Sequence, residues 1–359
     1  MKTLPVLILP LLFAALSLLH AASITPIRSP KVEFAPIRGE KFPIAFKTDT
    51  DGNVTIEICS PDRVPVRTLN LGYQKAGKHK AFWDGKDNEG DIVPDEAYAP
   101  VFKLRTNDGN ITREFWQTGG EILQNLHRKA DRAGNIYYTL PKPARVLVRV
   151  GIEGGPMLRI LSNWTPRAAG RIRQRWNFKD DTGKVNFESF PYLAAVSAFS
   201  LPEFSIITTG NTDESYLDYI KRKRLPCLTP KPTEEMLVRN GKRISLHYFK
   251  CRREERTPSL FLSLDSRLSK NGHPVLEQNV ATTVTLRMPP ADLNLIKMKQ
   301  YEVSFYIDGT FVSEAEQGYI PIRWRYTPTA LKKGKHILSV NVTTFDGNVA
   351  AKSTIFYVK

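Results

Sequence analysis

The chain has 359 residues, of which 41% are hydrophobic and 25% charged, an ordinary globular composition rather than that of a disordered chain. Its length predicts two to four domains. The 25 prolines and 22 glycines are spread along the sequence and favour many short strands and turns over long helices. The net charge of +16 predicts either an acidic partner or a strongly solvated surface.

Residues 1–23 have the pattern of a cleavable secretory signal. An early Lys2 precedes the almost wholly apolar stretch 4–19, and the small residues 21–23 then offer a cleavage site. The alternative is a membrane anchor, but the apolar stretch is short for a bilayer and contains two prolines. No later apolar run is long enough to span a membrane. We therefore expect a secreted or periplasmic protein whose mature chain has no transmembrane segment.

A pattern of glycine, tryptophan and aspartate occurs twice, 93 residues apart, with identical internal spacing. That distance is the size of one immunoglobulin-like sandwich. A tryptophan of this kind can fill the space between two sheets, and the aspartate and glycines suit the turns around it. The eight positions of this structural signature are Gly77, Trp83, Asp87, Gly90, Gly170, Trp176, Asp180 and Gly183.

Alternating apolar residues predict strands with one buried face along most of the chain. In the C-terminal third, Val303, Phe305 and Ile307 alternate in this way and are followed by Asp308-Gly309, a hairpin signal. The predicted fold class is all-β, with tandem immunoglobulin-like β-sandwiches. The expected divisions are a first sandwich at 24–110, a second at 111–210, a helix with a basic linker at 211–256, and a third sandwich at 257–359.

Residues 66–69, 76–79 and 83–90, followed by Tyr98, resemble the immunoglobulin-like domain of the FlgD family, which is named for the flagellar hook-capping protein. The second copy is degenerate, and together the copies cover about residues 30–205. The first copy departs from the family at Glu96-Ala97, where a glycine is usual before the tyrosine. The resemblance implies structural signature residues and no catalytic role. It does not imply hook capping, because a signal-like segment leads directly into the repeat.

The C-terminal third carries a weaker resemblance. Residues 334–340, followed by the turn 346–348, are similar to the closing hairpin of bacterial immunoglobulin-like domains.

The chain shows no pattern typical of an enzyme, a cofactor site or a metal site. Its histidines and three cysteines lack the spacing of zinc or haem motifs. Cys227 and Cys251 flank one irregular segment and are candidates for a disulfide, although spacing alone leaves the pairing open. The loop 84–91 is acidic enough to hold calcium weakly, but a structural turn is the better interpretation.

The most basic part of the chain, residues 221–256, is the candidate contact for a polyanion or a protein partner. An acidic glycan or lipopolysaccharide would suit it, whereas nucleic acid is not expected for an exported protein. The alternative is a solvated linker. The candidate contact residues are Lys221, Arg222, Lys223, Arg224, Arg252 and Arg253.

These observations lead to two hypotheses about function. The first is a non-enzymatic structural or interaction protein of the bacterial envelope, using its sandwiches as spacers and binding modules. The second is an accessory carbohydrate- or polyanion-binding protein that uses Trp116 or Trp164 to stack on sugar rings.

Overall fold

The computed structural model describes residues 22–124, 126 and 128–359, so residues 1–21 of the predicted signal lie outside the described residues. Strands dominate the described chain, and the two α-helices are short. The predicted all-β fold of tandem immunoglobulin-like sandwiches is confirmed. Five short 3-10 helices lie between strands, at Pro36–Arg38, Trp116–Thr118, Glu234–Leu237, Leu246–Phe249 and Arg252–Glu255.

The first sandwich begins with eight strands, and apolar residues at alternate positions of these strands form one core. Trp83, Tyr98 and Phe102 are buried at its centre. The strands are β1 (Ile24–Ile27), β2 (Glu33–Phe34), β3 (Phe42–Thr48), β4 (Gly52–Cys59), β5 (Pro65–Gln74), β6 (Gly77–Trp83), β7 (Ala97–Thr106) and β8 (Gly109–Arg113). One sheet has the order β1-β3-β6, and β4 pairs with β5 and β7 in the other.

The second sandwich repeats this arrangement with two three-stranded sheets. Its core contains Trp176, Phe187 and Tyr138. The strands are β9 (Arg128–Ala130), β10 (Asn135–Leu140), β11 (Ala144–Ile152), β12 (Met157–Arg167), β13 (Gly170–Arg175) and β14 (Tyr192–Ser200). The sheet orders are β13-β10-β9 and β12-β11-β14.

After the second sandwich the chain returns to the first. Strand β15 (Ile206–Thr208) pairs with β2 and β7, which completes the larger sheet of the first sandwich in the order β2-β15-β7-β4-β5. Helix α1 (Tyr216–Arg222) then buries Tyr219 and Ile220 in the first core. Two predicted boundaries are therefore corrected: residues 206–208 leave the second sandwich, and α1 belongs to the first sandwich rather than to a linker.

The third sandwich follows a small hairpin and a stretch of irregular structure. Its core contains Leu286, Phe305 and Phe356. The hairpin consists of β16 (Val238–Arg239) and β17 (Lys242–Arg243). The elements of the sandwich are β18 (Phe261–Leu264), β19 (Arg267–Leu268), β20 (Pro274–Leu276), β21 (Thr282–Arg287), α2 (Pro290–Ile296), β22 (Tyr301–Ile307), β23 (Thr310–Ala315), β24 (Ile322–Tyr326), β25 (Gly334–Thr344) and β26 (Val349–Val358). The sheet orders are β18-β21-β24 and β19-β20-β26-β25-β22-β23. Asp308 and Gly309 both have positive φ and join β22 to β23, as the hairpin signal predicted.

The second and third sandwiches are in direct contact. The side chain of Asn341 accepts a hydrogen bond from the backbone nitrogen of Met157 at 2.8 Å and donates one to its carbonyl at 2.7 Å. Ile337 and Ile355 of the third sandwich join the core of the second. Because an amide side chain satisfies both backbone groups and apolar residues surround them, this junction is packed like an interior.

Candidate interaction site: the basic connector

The two signature tryptophans have the same structural role in their sandwiches. Each is buried, and its indole nitrogen donates to a backbone carbonyl three residues later: Trp83 to Lys86 at 2.9 Å and Trp176 to Lys179 at 3.0 Å. Each ring also meets the edge of a tyrosine ring at a centroid distance near 5 Å, namely Tyr98 at 5.3 Å and Tyr192 at 5.2 Å.

The signature aspartates and glycines build the turns around these tryptophans. The carboxylate of Asp87 accepts hydrogen bonds from the backbone of residues 89 and 91, and that of Asp180 from residues 184 and 185. All four signature glycines have positive φ, which side chains with a Cβ rarely adopt: Gly77, Gly90, Gly170 and Gly183. The signature aspartates and glycines therefore determine the conformation of these loops.

The acidic loop of the first copy contains the chain's own cation. The ammonium of Lys223 lies 2.9 Å from Asp87, 2.6 Å from Glu89 and 2.7 Å from Asp91. Burial opposes the ionised form of Asp87, but bonds from Lys223 and Tyr219 hold the pKa of this carboxyl below its usual value. The ammonium of Lys223 therefore lies among the carboxylates of the loop 84–91, the loop that the sequence suggested as a weak calcium site.

The neighbouring Arg222 is also bound within the chain. Its guanidinium contacts the carboxylates of Glu214 at 2.7 Å and Asp91 at 2.9 Å. Arg222 and Lys223 thus fix the end of α1 to the loop of the first sandwich. These two candidate contact residues are therefore engaged in salt bridges within the chain.

Arg252 meets a buried carboxylate at the junction of the first two sandwiches. The carboxylate of Glu96 lies 2.8 Å from Arg145 of β11 and 3.2 Å from Arg252. Burial would raise the pKa of Glu96, but the two guanidinium groups hold it below its usual value. Glu96, from the first sandwich, therefore joins the second sandwich to the segment that leads to the third.

A second buried acid holds the backbone of the same segment. Asp62 accepts a hydrogen bond from the backbone nitrogen of Arg252 at 2.8 Å and one from the hydroxyl of Tyr216 at 3.1 Å. Burial raises the pKa of Asp62, and these two bonds partly offset the rise. The carbonyl of Asn163 in β12 accepts from the guanidinium of Arg252 at 3.3 Å.

The same segment also contacts the third sandwich. The ammonium of Lys250 lies 3.0 Å from the carboxylate of Asp346. His247 lies with its ring centroid 4.4 Å from that of Trp164, and its Nδ1 is 2.8 Å from the carboxylate of Glu255. We call residues 221–256 the basic connector, because its side chains bind all three sandwiches.

A disulfide closes the basic connector. Cys227 and Cys251 are bonded, with a Cα–Cα distance of 5.9 Å. The third cysteine, Cys59, is a free thiol on β4, and burial raises its pKa to about 12. A thiol with so high a pKa has almost no thiolate at neutral pH and is therefore unreactive.

The tryptophans considered for sugar binding are both engaged in the structure. Trp164 is buried in a cluster with Leu147 and Phe199. Trp116 is half-buried, with the guanidinium of Arg63 5.0 Å from its ring centroid. Stacking a sugar on Trp164 would require the basic connector to move away from the second sandwich, because His247 and Tyr248 pack against this cluster, so the structure does not support that role.

Four of the six predicted contact residues are exposed, and one of them, Arg222, is paired with carboxylates. The other three, Lys221, Arg224 and Arg253, take part in none of the salt bridges among the described residues. We call these three residues the connector cations. The sequence did not identify Glu96 as an interface residue. A signal was nevertheless present, because Glu96-Ala97 departs from the glycine that is usual before the tyrosine in the FlgD-type domain that the sequence resembles.

Comparisons with known proteins give similarity of fold only. No protein-family model and no curated protein matches the chain. Among solved structures, FlgD from P. aeruginosa is 21% identical over 25% of this chain and 61% of its own, with a TM-score of 0.20. The FN1-FN3 domains of chicken CNTN1 are 11% identical over 93% and 98%, with a TM-score of 0.17. A bacterial ice-binding adhesin is 9% identical over 94% and 98%, with a TM-score of 0.18. Similarity at this level transfers no function to the chain.

In the part of the chain that the structure describes, none of the helices is long and apolar enough to cross a bilayer. Within the same residues, no group of three or more histidine, cysteine or acidic side chains is arranged to hold a metal ion.

Proposed function

We propose that this chain is a non-enzymatic structural and interaction protein, exported to the bacterial envelope, in which the basic connector fixes three sandwiches in one arrangement. The observation that carries the proposal is the ion pairing of the buried Glu96 with the buried Arg145 and the half-buried Arg252, which joins two sandwiches to the connector. A flexible linker would not bury charge in this way. Movement of the linker would leave the buried carboxylate unpaired, and an unpaired buried charge costs several kcal/mol.

Export is supported by two independent features. The first is the signal-like pattern of residues 1–23. The second is the disulfide between Cys227 and Cys251, since structural disulfides persist mainly in oxidising compartments such as the periplasm. Both features favour a location outside the bacterial cytoplasm.

The connector cations are the proposed contact with a partner. Among the carboxylates that the structure describes, none forms a salt bridge with Lys221, Arg224 or Arg253, whereas Arg222, Lys223 and Arg252 are paired inside the molecule. An acidic surface on an envelope protein would complement these three charges, and the contact would weaken as salt concentration rises.

The proposal can be tested by capture from envelope fractions. The mature protein and its Lys221→Ser/Arg224→Ser/Arg253→Ser variant are immobilised, and retained proteins are identified at low and high salt. A matched control is Lys332→Ser/Lys333→Ser/Lys335→Ser, which removes the same charge from an exposed stretch of the third sandwich. We expect a partner retained by the wild type and the control and lost with the connector variant.

Two results would contradict this function. Equal loss in both triple variants would show that net charge alone is responsible. Absence of a retained partner at either salt concentration would remove the interaction role. A second candidate function, accessory binding of an acidic carbohydrate, is favoured by the row of exposed arginines on β13.

A further inference from the structure

The outer face of the sheet β13-β10-β9 is strongly basic. In β10 the buried residues Ile136 and Tyr138 alternate with Tyr137 and Thr139, which therefore lie on the outer face. In β13 the exposed arginines occupy every second position. We call this surface the arginine face; its members are Lys129, Tyr137, Thr139, Arg171, Arg173 and Arg175.

Strand register brings these side chains together. Tyr137 pairs with Arg173 on one side and Lys129 on the other, and Thr139 pairs with Arg171. Residues two apart on a strand lie about 7 Å from each other, and paired residues about 5 Å. The three arginines therefore form a row about 13 Å long beside a central aromatic ring.

Among the described residues, the cations of the arginine face form no salt bridge with a carboxylate, in contrast to Arg222, Lys223 and Arg252 of the basic connector. In the part of the chain that the structure describes, the salt bridges involve other lysines and arginines. The neighbouring acid is Asp131, in the turn before β10, whose carboxylate accepts hydrogen bonds from the side chain and backbone of Asn135, both at 2.9 Å. Arg173 donates to Asn135 at 3.0 Å, which fixes its guanidinium on the face.

The arginine face also contains an aromatic ring with a cavity beside it. The guanidinium of Arg171 lies 5.4 Å from the ring centroid of Tyr137. An open cavity of about 380 Å³ is lined by both residues together with Lys129 and Thr139. Arginine forks bind carboxylates through two parallel hydrogen bonds, and an aromatic face can stack on a sugar ring. The two kinds of group thus lie within one sugar's length of each other.

We propose that the arginine face binds an extended, carboxylate-bearing polysaccharide. Charge complementarity carries the inference: three regularly spaced guanidinium groups and a lysine, none of them in a salt bridge among the described residues, match a polymer with regularly spaced carboxylates. The equivalent positions of the first copy carry Lys78, Lys80 and Phe82, which cannot form arginine forks. The choice of a glycan over nucleic acid rests on the proposed location outside the cytoplasm. A membrane surface fits less well, because Ile172 is the one aliphatic residue of β13 and is half-buried.

The test compares two triple variants that remove the same charge. Binding of the full mature chain to polygalacturonate is measured for the wild type, for Arg171→Ser/Arg173→Ser/Arg175→Ser, and for the connector variant Lys221→Ser/Arg224→Ser/Arg253→Ser. We expect the first variant to lose at least about tenfold in affinity and the second less than about twofold. The variant Tyr137→Ala keeps the charge, and we expect it to lose several-fold on polygalacturonate. Thermal denaturation checks that each variant is folded.

Each alternative result overturns the proposal. Equal loss in the two triple variants means that net charge alone attracts the polymer. Wild-type binding to a single-stranded oligonucleotide as tight as to polygalacturonate assigns the face to nucleic acid instead. Absence of wild-type binding removes the site. Because this assay uses purified protein and polymer, its failure is distinct from failure to capture an envelope partner, which depends on the connector cations.

Discussion

Glu96 carries its charge where almost no water reaches it, because two guanidinium groups from different parts of the chain surround its carboxylate. Its second oxygen is within reach of Arg252, and its first also accepts from the backbone of Ala97 at 2.7 Å. Because its two arginine partners come from different segments of the chain, this carboxylate fixes the position of those segments relative to each other.

We expect Glu96→Gln to lower the free energy of unfolding by about 3–5 kcal/mol, because it leaves the buried guanidinium of Arg145 and the half-buried guanidinium of Arg252 without their counter-ion. Urea denaturation at neutral pH measures the change. The matched control is Glu203→Gln, whose exposed pair with Arg28 contributes less than about 1 kcal/mol. A loss in Glu96→Gln no larger than in the control would show that the buried network does not stabilise the junction.

Helix α1 illustrates how a short element can belong to a distant domain. It is only seven residues long, too short to be stable alone, and Ser215 caps its start by accepting from the backbone of Asp218. Its stability comes from packing on the first sandwich, where Tyr219 donates to Asp87 at 3.0 Å. Without that core the helix would have no buried face.

We expect Ile220→Ala to lower the free energy of unfolding of the first sandwich by about 2–5 kcal/mol, since it removes buried methyl groups from a packed core. Leu217→Ala, on the partly buried side of the same helix, is the control and should cost less. Denaturant unfolding followed by tryptophan fluorescence compares them. Equal and small effects would place α1 in a loosely attached linker, as the sequence first indicated.

The sequence predicted the elements whose signals are local. The tryptophan with its turn, the glycines at positive φ and the Asp308-Gly309 hairpin depend on residues within a few positions of each other. The return of β15 and α1 to the first sandwich was missed, because pairing between residues about a hundred positions apart leaves no periodic pattern. The partners of Lys223 and Arg252 were missed for the same reason: a count of charges does not show which charges meet.

The whole molecule should lose stability in acid. Glu96 has a lowered pKa in the folded chain, so the folded state binds fewer protons than the unfolded state. Its stabilising contribution is present above the ordinary glutamate pKa and is lost as pH falls through the folded value. The buried neighbour Asp62 has a raised pKa and acts in the opposite direction, losing its contribution as pH rises through the folded value.

We therefore expect the loss of stability between pH 7 and pH 3 to be smaller in Glu96→Gln than in the wild type. Urea denaturation at several pH values in that range measures the slope, and Glu203→Gln again serves as the exposed control. A slope unchanged in Glu96→Gln would mean that other carboxylates, such as Asp346 with its lowered pKa, govern acid unfolding.

The position of β15 and α1 sets an order of events during synthesis. A chain that emerges from its N-terminus presents β1 to β8 first, but their larger sheet lacks β15, and their core lacks Tyr219 and Ile220, until residue 222 has followed. The second sandwich, whose strands all lie between these two parts, can fold earlier. The N-terminal unit is therefore the later of the two to close, and a fragment that ends after β8 would expose part of its interior.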